Sequence, residues 1–495
     1  MAISSAHQDY LLGALHRVLS LITLLVCLLT EISIFTSRRH AATYLVPLCS
    51  ILLLYGHSRR TSTTTSTINM VDFTCLKPPP RLRTPIPKFI EHIKLGGCFD
   101  DDAIEFMSKA VVASGMGDET YFPPSLHLIP PDATHANAVD EARTLLFPML
   151  DELFAKTGVS PSAVGVLVVN CSGFCPSPSL ATMVANHYRM ASDVRTFNLS
   201  GMGCSAGVVG VDVARNILVT HPTTISYAIV VSTEVITVGW YNGRDHSKLL
   251  LNCTFRNGCS AVLLTNRSDV AASTPSRYRL LRLVRTNLIA NDESYRSGYR
   301  EEDDEGITGF NVGRRVGGAF EEVLRAHLVT LGVSVLPWRE KLRFAAAFLL
   351  SLLNNFRSGG GSNSSNLVPN FGAAAEHFCL PTTWTPMIRR LGRGIGLGEE
   401  QMEAAIMTYH RFGNQSAASL WYQLAYHEAK GVVRKRDKVW QLGVGTGLKV
   451  NSVVWERVGA DDVEDDVAGV GRDGKSARSV ERRGPWMDCI HRYPV

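Results

Sequence analysis

The stretch NLSGMGCSAGVVGVDVARN, residues 198–216, sets one cysteine between a glycine turn and the start of a helical pattern. Residues 194–200 (VRTFNLS) read as extended, GMG as a tight turn, and CSAGVVGVDVARNIL as a helix. Cys204 then stands at a strand–turn–helix junction. Free amides and the positive end of the helix dipole at such a junction favour a thiolate and lower the thiol pKa. Gly201 and Gly203 permit positive φ and leave room for a substrate at close range. This is the logic of a nucleophile elbow, with sulfur in place of a hydroxyl. A lone cysteine on a helix serves equally well as a small buried core residue, so the surroundings decide.

Outward from this stretch, two periodicities alternate. AVGVLVVN (163–170), SYAIVVSTE (226–234) and CSAVLLTN (259–266) are short apolar runs that predict buried strands. KVWQLGVGTGLKVNSVVW (438–455) predicts two strands around a glycine turn. Helical spacing runs through DEARTLLFPMLDELFAKTG (140–158), the segment from Cys204, and FEEVLRAHLVTLG (320–332). Alternation of this kind predicts an α/β fold with buried sheets. The loop GVGTGLKV (443–450) lacks the Lys-Ser/Thr of a phosphate-binding loop, so its glycines predict close backbone packing at a site.

The 495 residues exceed one ordinary domain. A net charge of +5 with dispersed basic residues and no basic stripe gives no case for nucleic acid as a partner. The eleven cysteines form no CxxC pair, which leaves neither a metal signature nor a disulfide framework. They read as reduced thiols of a cytosol-facing domain. The N-terminus carries two strongly apolar runs, LLGALHRVLSLITLLVCLL (11–29) and AATYLVPLCSILLLY (41–55), each followed by Arg-Arg. They predict a pair of membrane helices; a cleaved signal peptide is the other reading of the first run. The chain divides into a membrane anchor (1–60), a polar linker (61–69), an N-terminal half with Cys204 (70–270), a C-terminal half (271–458) and a charged tail (459–495). The aromatics of PWMDCIHRYPV predict that the tail's end docks back on the body.

Many collinear motifs carry a resemblance to the plant 3-ketoacyl-CoA synthases, the membrane-bound condensing enzymes of very-long-chain fatty acid elongation. They include VDFTCLKPP (71–79), SGMGDETYFPPSLH (114–127), NCSGFCPSPSLATMVANHYRM (170–190), NLSGMGCSAG, VVSTEVIT (230–237), REEDDEGITG (300–309), HRFGNQSAASLWYQLAYHEAKG (410–431) and WMDCIHRYPV (486–495). The resemblance implies a thiolase-like five-layer αβαβα fold of two similar halves, preceded by the hydrophobic anchor region. It implies long-chain acyl-CoA and malonyl-CoA as substrates and no cofactor or metal. It implies a homodimer, or a heterodimer with a paralogue, among other elongase subunits. The place it implies is the endoplasmic reticulum membrane, with the catalytic domain facing the cytosol. Cys204 would take the acyl group as a thioester. Malonyl-CoA would decarboxylate, and its enolate would attack that thioester, stabilised by hydrogen-bond donors. By motif, Asn414 is the enolate-binding residue, and His410 and His377 are further family positions. Each of these histidines reads equally as a catalytic or a structural residue.

The chain departs from the family where condensation is carried out. The family continues the EHFC motif into His-Ala-Gly-Gly, whereas this chain reads EHFCLPTTWTPMI (376–388), with Pro381 at the His position. Proline has no side-chain donor or acceptor and no N–H. Asn287 stands in VRTN (284–287), where the family often shows a His, and it does not titrate near neutrality. The sequence therefore predicts an intact acylation apparatus and a weakened condensation apparatus. One alternative follows, a family member that modulates an active paralogue without catalysing.

Overall fold

A computed structural model describes residues 67–267, 275–312, 316–347, 369–459 and 484–495. The predicted membrane helices at 11–29 and 41–55 lie outside the described residues. Among the described residues, no helix is long and apolar enough to cross a membrane.

The N-terminal half contains β1 (Asn69–Cys75), α1 (His135–Thr157), β2 (Val164–Asn170), β3 (Arg195–Leu199), α2 (Ala206–Thr220), β4 (Tyr227–Thr233) and β5 (Cys259–Thr265). The C-terminal half contains β6 (Tyr278–Asn287), the hairpin β7 (Gly298–Glu302) and β8 (Thr308–Val312), α3 (Val316–Val335), β9 (His377–Cys379), α4 (Glu399–Phe412), α5 (Ser419–Ala429), β10 (Lys438–Gly445) and β11 (Lys449–Arg457). Nine strands pair in the order β3-β2-β4-β5-β1-β6-β11-β10-β9. In the first half, β2 runs parallel to β3 and β4, and β5 antiparallel to β4 and β1. The second half repeats this: β9 is parallel to β10, and β11 antiparallel to β10 and β6. The halves join where Asn69 and Met70 pair with Arg279 and Tyr278.

This sheet folds around its central helices. Helix α2 touches β2 and β4 of one half and β10 and β11 of the other. On a flat sheet β4 and β10 would lie five strand spacings, about 24 Å, apart. A helix about 10 Å across cannot reach both unless the halves face each other. Helix α5 lies in the same layer, against β1, β9 and β10. Outside, α1 covers β1, β4 and β5, while α3 covers β6 and β11 and α4 covers β9. The order is therefore helix, sheet, helix, sheet, helix.

The strand sequences explain why both faces are covered. Along β2, Val166 and Val168 join the central core with Val208, Val211 and Leu218 of α2. Leu167 and Val169 face the other way, onto Leu146, Met149 and Leu153 of α1. Period-two alternation with apolar residues on both sides demands two helical layers, and each fully buried aliphatic side chain contributes about 1.5–3 kcal/mol. The C-terminal end packs on the second half. Trp486 is fully buried among Phe412, Tyr426 and Tyr493, and its indole N–H donates to the Tyr422 carbonyl at 2.8 Å.

Candidate active site

Cys204 lies in a short 3-10 turn, Gly203–Ser205, between β3 and α2, so the strand–turn–helix order expected around it is present. The turn is pressed against the end of β10. Gly203 adopts φ +59, and a Cβ there would come 2.8 Å from the Thr446 amide nitrogen. A Cβ on Gly445 would collide with the Met202 carbonyl and the Ser205 hydroxyl. The glycines of residues 443–447 thus let the second half's β10–β11 turn close over the first half's cysteine.

The cysteine opens into a cavity of about 590 Å³. Its lining is mainly apolar, with Val235, Ile236, Leu251, Phe255, Phe310 and Leu448, and one carboxylate, Glu234, stands beside the cysteine. The β7–β8 hairpin forms part of the wall through Tyr299, Arg300 and Phe310. Arg300 ties that hairpin down by donating to the carbonyls of Gly173 (3.1 Å) and Val238 (2.8 Å).

Asn414 and Ser416 come from the second half. Helix α4 ends at Phe412, and Gly413 (φ +69) turns the chain. The Asn414 backbone then bonds Thr254 and Arg256. Its side-chain Oδ1 accepts from the Ser416 amide at 2.8 Å, which leaves the amide NH₂ as the available donor. That group and the Ser416 hydroxyl both favour the Cys204 thiolate by hydrogen bonding. Burial outweighs them, with a smaller contribution from the neighbouring Glu234, and pushes the thiol up to about 11. The lowered pKa expected from the helix start is therefore reversed, because desolvation of the sulfur outweighs the hydrogen bonds that favour its thiolate.

The two histidines are elsewhere. His377 opens β9, bonds Asp437 through Nε2 at 2.9 Å and packs against His427. It pairs with Val439, four residues or about 13 Å along β10 from the Gly443 that backs the cysteine turn. His410 sits in the last turn of α4 and lines a second cavity, of about 360 Å³, with Gly117, Asp118, Glu119 and Tyr493. The spacing from His410 to Asn414 would place both on one face only if the helix continued; Gly413 ends it, and the two side chains diverge. Among the described residues, no imidazole lines the Cys204 cavity. Pro381 follows the end of β9, two residues past the Cys379–Gln441 pair, where the chain has left the β10 ladder and Leu380 bonds the Gln423 side chain. It occupies the active-site end of the sheet without a donor to offer. Asn287 is exposed at the end of β6, paired with Lys449.

Residues 60–353 match the family profile described as FAE1/Type III polyketide synthase-like protein. Residues 375–457 match the C-terminal domain of 3-oxoacyl-[acyl-carrier-protein] synthase III. Three Arabidopsis thaliana proteins illustrate the similarity. 3-Ketoacyl-CoA synthase 4 is 41% identical over 90% of this chain and 82% of its own, and 3-ketoacyl-CoA synthase 6 is 42% identical over 87% and 81%. 3-Ketoacyl-CoA synthase 9 is 38% identical over 98% and 91%. The chain belongs to the 3-ketoacyl-CoA synthase family. The crystal structure of 1,3,6,8-tetrahydroxynaphthalene synthase from Streptomyces coelicolor, a bacterial type III polyketide synthase, superposes with a TM-score of 0.59. It covers 79% of this chain and 100% of its own at 15% identity, so it bears on the fold alone. The thiolase-like α/β architecture of the family is the one described above.

Two groups of this synthase site, Glu234 and Ser416, were not singled out from the sequence. Glu234 carries a signal in hindsight: an acid directly after an apolar strand run is placed at the strand's end, where sites form. Ser416 carries none, because its position depends on the left-handed turn (φ +55) that brings it to the cysteine.

Proposed function

We propose that the protein condenses a long-chain acyl-CoA with malonyl-CoA to a 3-ketoacyl-CoA, CO₂ and CoA, the reaction of very-long-chain fatty acid elongation. The observation that carries the reading is Cys204 lining an apolar cavity with the Asn414 amide beside its sulfur, in a chain of this family. The Cys204 sulfur attacks the acyl-CoA carbonyl, the thioester bond to CoA breaks, and the acyl chain is held on the enzyme. Loss of CO₂ from malonyl-CoA leaves an enolate, whose oxygen meets the Asn414 NH₂. Its carbon attacks the acyl-Cys204 thioester and frees the sulfur. The decisive experiment supplies membranes carrying the protein with acyl-CoA and labelled malonyl-CoA. Labelled 3-ketoacyl-CoA that vanishes in Cys204→Ser supports the reading, and its absence from the unmutated protein overturns it.

That no imidazole among the described residues lines the cavity favours a second reading, a non-catalytic partner of an active paralogue. On that reading Cys204→Ala leaves the cellular lipid profile unchanged. We further propose anchoring in the endoplasmic reticulum membrane through residues 1–60, with the catalytic part in the cytosol. The apolar runs support it, and a full-length chain found in the soluble fraction would contradict it. Pairing with a second copy or a paralogue is supported by β3. It is an edge strand with no neighbour on its outer side among the described residues, and its Phe197 is 37% exposed.

A further inference from the structure

We infer that Ser416 and Glu234 form a proton relay to Cys204, filling the acid–base role for which no imidazole among the described residues lines the cavity. The inference rests on the proposed acyl transfer at Cys204 and names how the sulfur loses its proton.

All three residues line the same cavity. Glu234 directly follows β4 and is buried, and its carboxylate is clamped from behind. Oε1 accepts from the Gly173 amide at 2.7 Å, Oε2 accepts from the Ser172 amide at 3.3 Å, and the Cys171 thiol lies 3.7 Å from Oε1. Ser416 is buried too, and it is held at φ +55, in the left-handed region that side-chain-bearing residues avoid. Strain of this kind persists only where the surroundings impose it, and it concentrates at working sites. The turn brings the Ser416 hydroxyl close enough to both the Glu234 carboxylate and the Cys204 sulfur to favour the ionised form of each. A hydroxyl can donate to one group while accepting from another, so the geometry is that of a relay.

The step balances without any added reagent. Ser416 accepts the thiol proton as its own proton passes to Glu234. The sulfur's electron pair forms the bond to the acyl carbonyl carbon, and the bond from that carbon to the CoA sulfur breaks. The proton returns through Ser416 to the departing CoA thiolate. Burial holds both the Glu234 carboxyl and the Cys204 thiol above their ordinary ranges. A carboxyl raised towards neutrality is a better proton acceptor than an ordinary one. The groups that face Glu234 are the Cys171 and Cys204 thiols, the Ser172 and Gly173 amides, the Ser416 hydroxyl, and Glu141 from behind the same loop, while the Arg300 and Lys449 cations line the same cavity.

The test reads the sulfur without any acyl substrate. The full-length protein is treated with iodoacetamide across the pH range, and alkylation of the Cys204 peptide is followed by mass spectrometry for the wild type, Glu234→Gln and Ser416→Gly. Glycine suits a positive φ, so Ser416→Gly removes the hydroxyl and relieves the backbone. The wild-type rate rises first with Glu234 ionisation. Both variants lose that limb, react about 10²-fold more slowly at neutral pH, and recover only in the alkaline range where the bare thiol ionises. If either variant follows the wild-type profile, the relay is overturned. Failure of the condensation reading looks different: the relay-dependent alkylation persists while no 3-ketoacyl product forms.

Discussion

Replacing Glu141 by Gln should change how stability depends on pH, by an amount the structure specifies. Glu141 belongs to α1 and is 1% exposed. Its two oxygens accept from the Ile236 and Thr237 amides, each at 2.9 Å, and so hold the loop that follows Glu234. Burial raises its carboxyl from 4.5 to about 7, outweighing those hydrogen bonds. Between these two values the native state binds a proton that the unfolded chain has lost, so stability falls as pH rises. The contribution is fully present below about 4.5 and is lost as pH rises through about 7. At 1.36 kcal/mol per pH unit this is a loss of about 3 kcal/mol. Gln keeps one acceptor and forfeits the other, a cost of about 1–3 kcal/mol that does not vary with pH. Denaturant unfolding followed by tryptophan fluorescence, with both proteins at a series of pH values, isolates the term because every other titrating group cancels in the difference. The advantage of Glu over Gln should shrink by about 3 kcal/mol from the acid to the alkaline side of this window. A constant difference would refute the reasoning, and one that grows with pH would show that the two amides, not burial, govern the carboxyl.

Four further outcomes follow from the site and its supports. Asn414→Ala should cut 3-ketoacyl-CoA formation about 10²–10³-fold by removing an oxyanion donor, while Cys204 still becomes acylated; both are readable from one labelled incubation. Gly445→Val should drive the β10–β11 turn off the cysteine and abolish acylation, seen as loss of the acyl adduct by mass spectrometry. Pro381→His restores a titratable donor at the active-site end of β9 and should raise the rate of CO₂ release from malonyl-CoA. Trp486→Ala should cost about 3–5 kcal/mol in unfolding free energy, because a fully buried indole leaves a cavity behind.

Much of the architecture was legible because it is written in short-range periodicity. The runs at 163–170, 226–234, 259–266 and 438–455 became β2, β4, β5, β10 and β11, and the helical patterns at 140–158, 204–221 and 320–332 became α1, α2 and α3. The glycine turn before Cys204 was legible for the same reason, since φ is a local property. The site around the cysteine was legible only in part. His410 and Asn414 lie four residues apart in a helical context, and helical spacing alone sets them side by side; one left-handed glycine separates them. His377 shares a motif with the active-site end of β9, yet a strand advances about 3.3 Å per residue, so a few positions suffice to move it away.

By itself, the sequence determined the alternation of strands and helices, the nucleophile at a strand–turn–helix junction, and the proline where an imidazole was expected. Each of these depends on neighbours within a few residues. The tertiary structure alone decided the thiol's environment and its companions. Cys204 and Glu234 belong to the first half and Asn414 and Ser416 to the second, more than 170 residues further along. They meet only because the sheet folds its halves around α2 and α5, and the same closure desolvates and raises the cysteine that its helix would otherwise have made acidic.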